Sequence, residues 1–484
     1  MSNTRPRDIH RQRTAIGRAQ FSRPVRLALE SGLLNLERTL FDYGCGRGQD
    51  LHRLDRLGVL AKGWDPAHRP HAGKESADIV NFGYVVNVIE NPRERHEALA
   101  EAWSLARQVL VVAARLDIEN RQLRGDEYAD GCVTSRDTFQ KLFSQQELRE
   151  WVTEVTGSSA IPAAPGVVFV FRDEALRQSY LAARYQRRRA APRIRKSDRV
   201  FDEHRGTLQP LIDFLSARGR LPARHELENA DELEREVGTI RQAHALLRRV
   251  MGADAWEGVR TERTTELLIY LALEKIPGRA KFSELVDELQ RDIKEFFSSY
   301  KSACEQADKL LYESGDPASR DQAMRESAVG KLTGNALYVH VDALPELPTI
   351  LRVYEGCAHQ YVGDIEGANV VKMNRQKPQV SYLMYPEFRK EPHPPTRGSL
   401  IVRLGNPQIR FRDYSESDNP GILHRKEELL PQDDPDREKF ARLTRQEENW
   451  GLYESPEHIG TLRGWEHELA RKGLRLRGHR LVRA

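Results

Sequence analysis

Cysteine is scarce in this chain. Four residues in 484, at positions 45, 132, 304 and 357, stand too far apart to pair at metal-ligand spacing or to form a disulfide framework. That excludes a small disulfide-stapled secreted domain and a structural zinc module, and it predicts a reducing, cytoplasmic setting. Also missing is any apolar run long enough to cross a bilayer, so no membrane partner is expected. The first residues lack the apolar centre of a secretory signal. Their arginine-rich, acid-poor composition is that of a transit peptide, but it runs directly into the first domain. Phosphate-binding Walker loops, serine nucleophile elbows and zinc signatures are absent as well. Net charge is low, at +4, and names no partner by itself.

What the chain does have is length for two to four domains and an uneven distribution of charge. Seven arginines face one acid, Asp8, between Arg5 and Arg26, and eight basic residues face Asp198 between Arg184 and Arg199, among them Arg187, Arg188 and Arg189. Each cluster is either the footprint of a polyanion or a solvated, flexible face.

The most informative stretch is Thr39 to Asp50. An apolar run, Leu40-Phe41, ends in Asp42 and then in Gly44-Cys45-Gly46-Arg47-Gly48. This predicts a buried strand turning sharply into a helix, with alternate glycines that let a ligand lie against the backbone. The third glycine comes one place earlier than in the dinucleotide fingerprint. Asp42 suits a ligand carrying a positive amine. A second strand is expected to end at Trp64-Asp65, where Asp65 has the spacing of an acid that grips ribose hydroxyls. Asp78 to Glu90 predicts a third strand and its exit loop, Asn91-Pro92 a helix start, and Val109 to Ala114 a strand buried on both faces. A helix over 145–155 and a strand over 166–171 complete an open α/β sheet with helices on both sides.

These residues together resemble the class I S-adenosylmethionine-dependent methyltransferases, over roughly residues 25–180. The resemblance implies S-adenosylmethionine as cofactor, with Asp42, Gly44, Cys45, Gly46 and Gly48 at its methionyl end and Asp65 at its ribose. It places Asn81 beside the sulfonium and makes Tyr84 and Asn87 candidates for positioning the acceptor. The bland alternatives are that Tyr84 packs in the sheet and Asn87 caps the next helix. Only twelve residues separate Asp65 from Asp78, so the usual third strand is shortened or absent. The Asp/Asn-Pro-Pro-aromatic motif of exocyclic-amine enzymes and the Pro-Cys nucleophile of cytosine-C5 enzymes are both missing.

At a finer level the chain is similar to the DNA-phosphorothioation-associated methyltransferases. The carriers are Arg13 to Arg18, Ser22 to Arg26, Gly83 to Glu90, Thr134-Ser135-Arg136, Leu351 to Cys357 and Ser417 to Glu427. That resemblance implies a bacterial methyltransferase linked to a sulfur-modified-DNA, phage-defence system, with DNA and the system's other proteins as partners. Two other readings stay open: a degenerate methyltransferase fold kept for binding DNA, and a methyltransferase of a non-nucleic-acid substrate.

The expected organisation is a basic arm (1–24), a Rossmann-like methyltransferase domain (25–183), a basic linker (184–200), a helical domain (201–330) and a C-terminal α+β domain (331–484). In the helical part, Leu285, Leu289, Ile293, Phe296, Tyr300, Cys304, Ala307 and Leu311 form a stripe of helical period read as core. The turn Arg218 to Pro222 allows a helix-turn-helix or an ordinary hairpin. In the last part, Lys372, Arg375, Lys377, Tyr382 and Tyr385 form a basic stretch running into aromatics, either a nucleic-acid surface or a plain strand face. His424-Arg425-Lys426-Glu427 reads as phosphate-contacting or acid/base residues, or as a surface charge cluster. Arg425 and Lys426 complete the candidate nucleic-acid residues. No metal ligand set is expected.

Overall fold

A computed structural model describes residues 9–14, 18, 20–118, 125–186, 198–405, 408–454 and 457–484. The candidate nucleic-acid residues Arg187, Arg188 and Arg189 lie outside the described residues. The chain falls into two compact units, one made of Met1–Asp173, Asp321–Pro348 and Glu355–Ala484, the other of Glu174–Arg320 and Thr349–Tyr354.

The first unit holds two six-stranded sheets. In the first sheet, β1 (Leu40–Tyr43), β2 (Ala61–Trp64), β3 (Ala77–Gly83) and β4 (Ala106–Ala113) run parallel in the order β2-β1-β3-β4. Two antiparallel strands, β5 (Ala160–Ala164) and β6 (Val167–Phe171), extend the order to β2-β1-β3-β4-β6-β5. The sheet is Rossmann-like, and β2 is its edge, in keeping with the short interval between Asp65 and Asp78. The β-branched residues Ile79, Val80, Val109, Val111, Val112, Val168 and Val170 are buried, as strands covered on both faces require. Helices α1 (Arg23–Glu30), α2 (Gln49–Arg56), α3 (Pro92–Leu105) and α4 (Gln145–Thr156) flank it. Three of the four start with a chemical reason: prolines at the first turns of α1 and α3, and a Ser144–Glu147 capping box at α4.

Strand order decides where a ligand can sit. The β1–α2–β2 unit winds outward on one side and the β3–α3–β4 unit on the other, so the connections diverge between the neighbouring strands β1 and β3. A crevice opens beyond the carboxyl ends of these two strands, the place where open α/β sheets bind ligands.

The second sheet is antiparallel, in the order β7 (Lys331–Leu332), β8 (Ala336–His340), β9 (Val370–Asn374), β10 (Gln379–Met384), β11 (Gly398–Arg403) and β12 (Gln408–Asp413). Its strands alternate. Val339, Val371, Val380, Tyr382, Leu400 and Val402 are buried on one face, while Lys372, Ser381, Ile401 and Arg410 stand in one register row on the other.

The second unit is helical. Its core of Leu208, Leu211, Leu215, Leu233, Leu247, Val250 and Trp256 joins the helices Arg205–Arg218, Ala230–Glu236, Ile240–Met251 and Ala253–Glu274. The turn after Arg218 passes through Gly219 at φ 66° and leads into a three-residue 3-10 turn, Arg224–Glu226. Arg220 is buried between Glu226 and Asp292, and Arg218 bonds Asp292 and Glu288. These arginines are therefore spent inside the fold. The long stripe is divided between two helices, Asp287–Phe296 and Tyr300–Gly315. Ser299 accepts a hydrogen bond from Ser302 N and starts the second. Leu285, Leu289, Ile293 and Ala307 are core, as expected of the stripe. Among the described residues no helix is long and apolar enough to cross a membrane.

Candidate cofactor site

The crevice between β1 and β3 brings Asp42 and Asn81 side by side. They are register partners, and Asn81 Nδ2 donates to Asp42 Oδ1 at 2.7 Å. Both are almost fully buried. Burial is the main reason the Asp42 carboxyl is pushed up to about 7. The Asn81 bond opposes the shift, whereas neighbouring Asp50 and Asp65 add to it. Asn81 Oδ1 is buried with no hydrogen-bond partner. A carboxylate held in this state beside an orphaned acceptor favours a cation.

The glycine turn forms the floor. Gly44, Gly46 and Gly48 take φ values of 81°, 51° and 73°, a region that a β-carbon disfavours. A side chain at 44 would meet Val85 Cγ2 at 2.5 Å. Gly48 caps α2, so the unpaired backbone N–H groups of the helix start face the same crevice. Cys45 is half-buried and its thiol is pushed up to about 12, chiefly by burial, so it stays protonated and offers no nucleophile.

Asp65 stands at the end of β2. Its Oδ2 accepts from Gly46 N at 2.9 Å, and its Oδ1 accepts from Ala67 N and His68 N at 2.9 and 2.8 Å. The carboxylate is thus tied to the turn it borders. Tyr84, just past β3, adopts φ 65°, one of four non-glycine residues with positive φ among those described. Strain of this kind gathers where the surrounding structure fixes a side chain for a task.

Asn87 is a correction. It is 1% exposed, its amide donates to the carbonyls of Lys141 and Arg115, and its Oδ1 accepts from Arg115 N at 2.9 Å. It pins two chain segments together and has no donor left for an acceptor substrate. Asn87→Ala is expected to destabilise the protein by about 1–3 kcal/mol, because these backbone groups lose their partners. Cofactor affinity measured at a temperature where the variant is folded should remain as in wild type; a tenfold loss would return Asn87 to the site.

Sequence reasoning missed two residues here. Arg69 lies against Gly48, with Nη2 2.6 Å from where a β-carbon would stand. Arg18, from the basic arm, stands over the Tyr84 ring at 5.5 Å and eases the Asp42 carboxyl downward. The described part of that arm is docked: Arg11 Nε meets Glu90 at 2.8 Å and its Nη1 bonds Glu94. Arginine content alone does not reveal which guanidinium reaches a crevice made by distant strands.

Several candidate nucleic-acid residues also need correcting. Arg375 pairs with Asp321 at 2.5 Å and with the carbonyls of Thr333 and Gly334. Tyr382 points into the core and donates to Glu355 at 2.8 Å. Lys426 is buried, donates to the carbonyls of Phe388 and Glu391 at 2.7 and 2.6 Å, and is lowered to about 7, mainly by burial. Arg425 lies over the Tyr453 ring at 4.4 Å and meets Glu448 at 2.7 Å. The stretch from His424 to Glu427 is neither a surface cluster nor open to a substrate. Lys377 lies in the β9–β10 turn, its backbone N–H on Asn374. Lys372 lines an open cavity.

No family model matches the chain, and no curated protein matches it. Among solved structures, it is similar to a 1,6-didemethyltoxoflavin-N1-methyltransferase from Burkholderia thailandensis, at 14% identity over 34% of this chain and 79% of that one, with a TM-score of 0.24. A magnesium protoporphyrin IX methyltransferase from Synechocystis, with bound S-adenosylmethionine, matches at 15% identity over 34% and 90%, TM-score 0.23. An S-adenosylmethionine-bound amino pentose methyltransferase from Micromonospora echinaspora matches at 13% over 31% and 88%, TM-score 0.22. These likenesses are too weak to carry an argument. The fold rests on strand order and the site on its own geometry.

Proposed function

We propose that the protein is an S-adenosylmethionine-dependent methyltransferase acting on DNA, in a role linked to DNA phosphorothioation and defence. The observation that carries the cofactor half is the Asp42–Asn81 pair at the strand crossover, above a turn of three glycines in left-handed conformations. The residues fit the cofactor. Its methionyl amine is a cation suited to a buried carboxylate and an orphaned amide oxygen, and the left-handed turn of Gly44 to Gly48 presents bare backbone beside them.

S-Adenosylmethionine supplies a methyl group already activated on a sulfonium, so the chain's own work is alignment and exclusion of water. Asp42 and Asn81 hold the amine. Asp65 keeps the turn in shape through Gly46 N and retains one acceptor site, on Oδ2, for a ribose hydroxyl, since each carboxylate oxygen can take two hydrogen bonds and Oδ1 already holds both of its own. Tyr84, held at a strained φ at the crevice mouth, orients the acceptor.

Support for DNA comes from the resemblance along Gly83 to Glu90 and Ser417 to Glu427, and from a cationic sheet face described below. A second reading, a methyltransferase fold retained only to bind nucleic acid, is favoured by Arg69 lying against Gly48 and by the three backbone bonds already on Asp65. One experiment separates them: incubation of the full chain with methyl-labelled S-adenosylmethionine and phosphorothioated or ordinary DNA, followed by nucleoside mass analysis. A labelled nucleoside is expected. Cofactor binding by calorimetry with no label in either DNA would favour the second reading.

A further inference from the structure

The polar face of the antiparallel sheet carries cations that the fold does not use. Lys372 on β9, Arg403 on β11 and Arg410 and Arg412 on β12 line a cavity of about 640 Å³. Among the described residues none of the four has an ion-pair partner. Lys372 sits 5.1 Å above the Tyr338 ring, and the register row Tyr338–Lys372–Ser381–Ile401–Arg410 crosses the face from side to side. Hydroxyls of Ser381, Ser399 and Thr396 line the same cavity although each residue is nearly buried. The other face of these strands is apolar core, and on this face the Phe388–Leu429–Phe440 cluster covers the end at Val370 and Leu383, which leaves the row from Lys372 to Arg410 open.

Spacing identifies the occupant. Lys372 and Arg410 lie three strand steps apart, about 14 Å at ~4.8 Å per step, and Arg410 and Arg412 are about 7 Å apart along one strand. A single phosphate or a mononucleotide meets one end of that row and leaves the other bare. A chain of phosphates meets both. Tyr414 and Tyr338, the latter also packed against the Tyr385–Phe388 core, are partly exposed in the same cavity and add ring surface on which bases can stack. A duplex keeps its bases stacked inward, so a cleft that pairs cations with partly exposed aromatic rings suits an unpaired strand.

We propose that this sheet face binds a segment of single-stranded nucleic acid, with Lys372, Arg403, Arg410 and Arg412 on successive phosphates and Tyr338 and Tyr414 against bases. The inference deepens the nucleic-acid half of the proposed function and is independent of its cofactor half.

The test uses the full chain, a fluorescein-labelled 15-nucleotide oligodeoxythymidylate, and anisotropy titrations between about 50 and 300 mM salt. For single strands, log K falls against log salt with a slope of roughly −0.7 per neutralised phosphate, so four contacts predict about −2.8. The variant Lys372→Gln/Arg410→Gln/Arg412→Gln should lose at least tenfold in affinity at 100 mM salt, and its slope should shrink to about −0.7. Its melting temperature and its calorimetric affinity for S-adenosylmethionine should match wild type, because the three side chains stand on the second sheet and none contributes to the Asp42–Asn81 pair or the glycine turn. Tyr338→Ala should weaken binding severalfold with the slope unchanged. Equal affinity and slope for wild type and the triple variant would overturn the proposal. So would displacement of the oligonucleotide by thymidine monophosphate or inorganic phosphate at matched ionic strength, or tighter binding of a duplex of the same length. A flat calorimetric trace with S-adenosylmethionine, alongside intact oligonucleotide binding, would sink the cofactor reading and leave this one standing.

Discussion

Asp42→Asn is expected to weaken S-adenosylmethionine binding roughly 10- to 150-fold while raising the melting temperature of the unliganded protein at pH 8. The loss follows from removing one charge-assisted hydrogen bond, worth about 1.5–3 kcal/mol, at about 1.4 kcal/mol per tenfold. The gain follows from the direction of the Asp42 shift. Its carboxyl is raised in the folded protein from 3.8 to about 7, chiefly by burial. The folded state therefore holds a proton that the unfolded chain releases between those values. That contribution to stability is complete below pH 3.8 and is lost as pH rises through 7. At pH 8 wild type carries a buried charge that asparagine lacks. The difference in unfolding free energy between the two proteins, which cancels every other titrating group, should be near its minimum at pH 4 and reach a plateau of a few kcal/mol above pH 7. Cofactor affinity of wild type should tighten as pH rises toward 7, since the amine competes with that proton, and Asp42→Asn should show no such rise. Identical binding by the two proteins, or a melting difference unchanged between pH 4 and pH 8, would remove Asp42 from the amine site.

How far such a site can be read from sequence depends on what creates it. Asp42 and the glycines were legible because the chemistry is local: an apolar run, an acid and three alternate glycines make a strand-to-helix turn in any context. The β1 strand was legible from the apolar pair before that acid, and β3, β4 and β6 from runs rich in β-branched residues. The pairing of Asp42 with Asn81 was not, because it depends on the register of two strands 39 residues apart. Charge misled most. Arg375, Arg425 and Lys426 look like solvent-facing cations in one dimension, and only the fold shows them spent on Asp321, Glu448 and main-chain carbonyls. The converse holds for Arg403, Arg410 and Arg412. They are isolated in the sequence, but period-two alternation along β11 and β12 puts them on one face with Lys372; the alternation Arg410-Phe411-Arg412 was the available signal. The stripe from Leu285 to Leu311 has the right period but breaks at Ser299, where a side-chain cap starts a new helix.

The second large effect is expected far from the cofactor crevice. Glu447 is fully buried and joins His393 Nε2 at 2.6 Å to the Tyr453 hydroxyl at 2.5 Å. His393 packs 4.4 Å from His424 and 4.7 Å from Trp465, ring centroid to centroid. Glu447→Ala leaves the His393 and Tyr453 polar groups without their partner in the interior, at about 1–3 kcal/mol each. The melting temperature should fall by several degrees at neutral pH. His424 adds an acid limit. Burial first, and the nearby His393 second, lower it from 6.5 to about 2. Its Nε2 lies 2.8 Å from the Ile459 carbonyl oxygen and its Nδ1 has no partner. Here the unfolded chain takes up the proton first, so stability is intact above pH 6.5 and is lost as pH falls, by about 1.4 kcal/mol per unit. This slope is opposite in sign to that of Asp42 over the window from 3.8 to about 6.5, and in wild type the two offset each other. The Asp42→Asn protein should therefore expose the His424 slope and become acid-sensitive between pH 6.5 and 5, whereas Asp42→Asn/His424→Phe should lose that sensitivity again. Should the double variant stay as acid-sensitive as Asp42→Asn, the proton responsible belongs to another group, and the buried pair of imidazoles has no part in the acid limit.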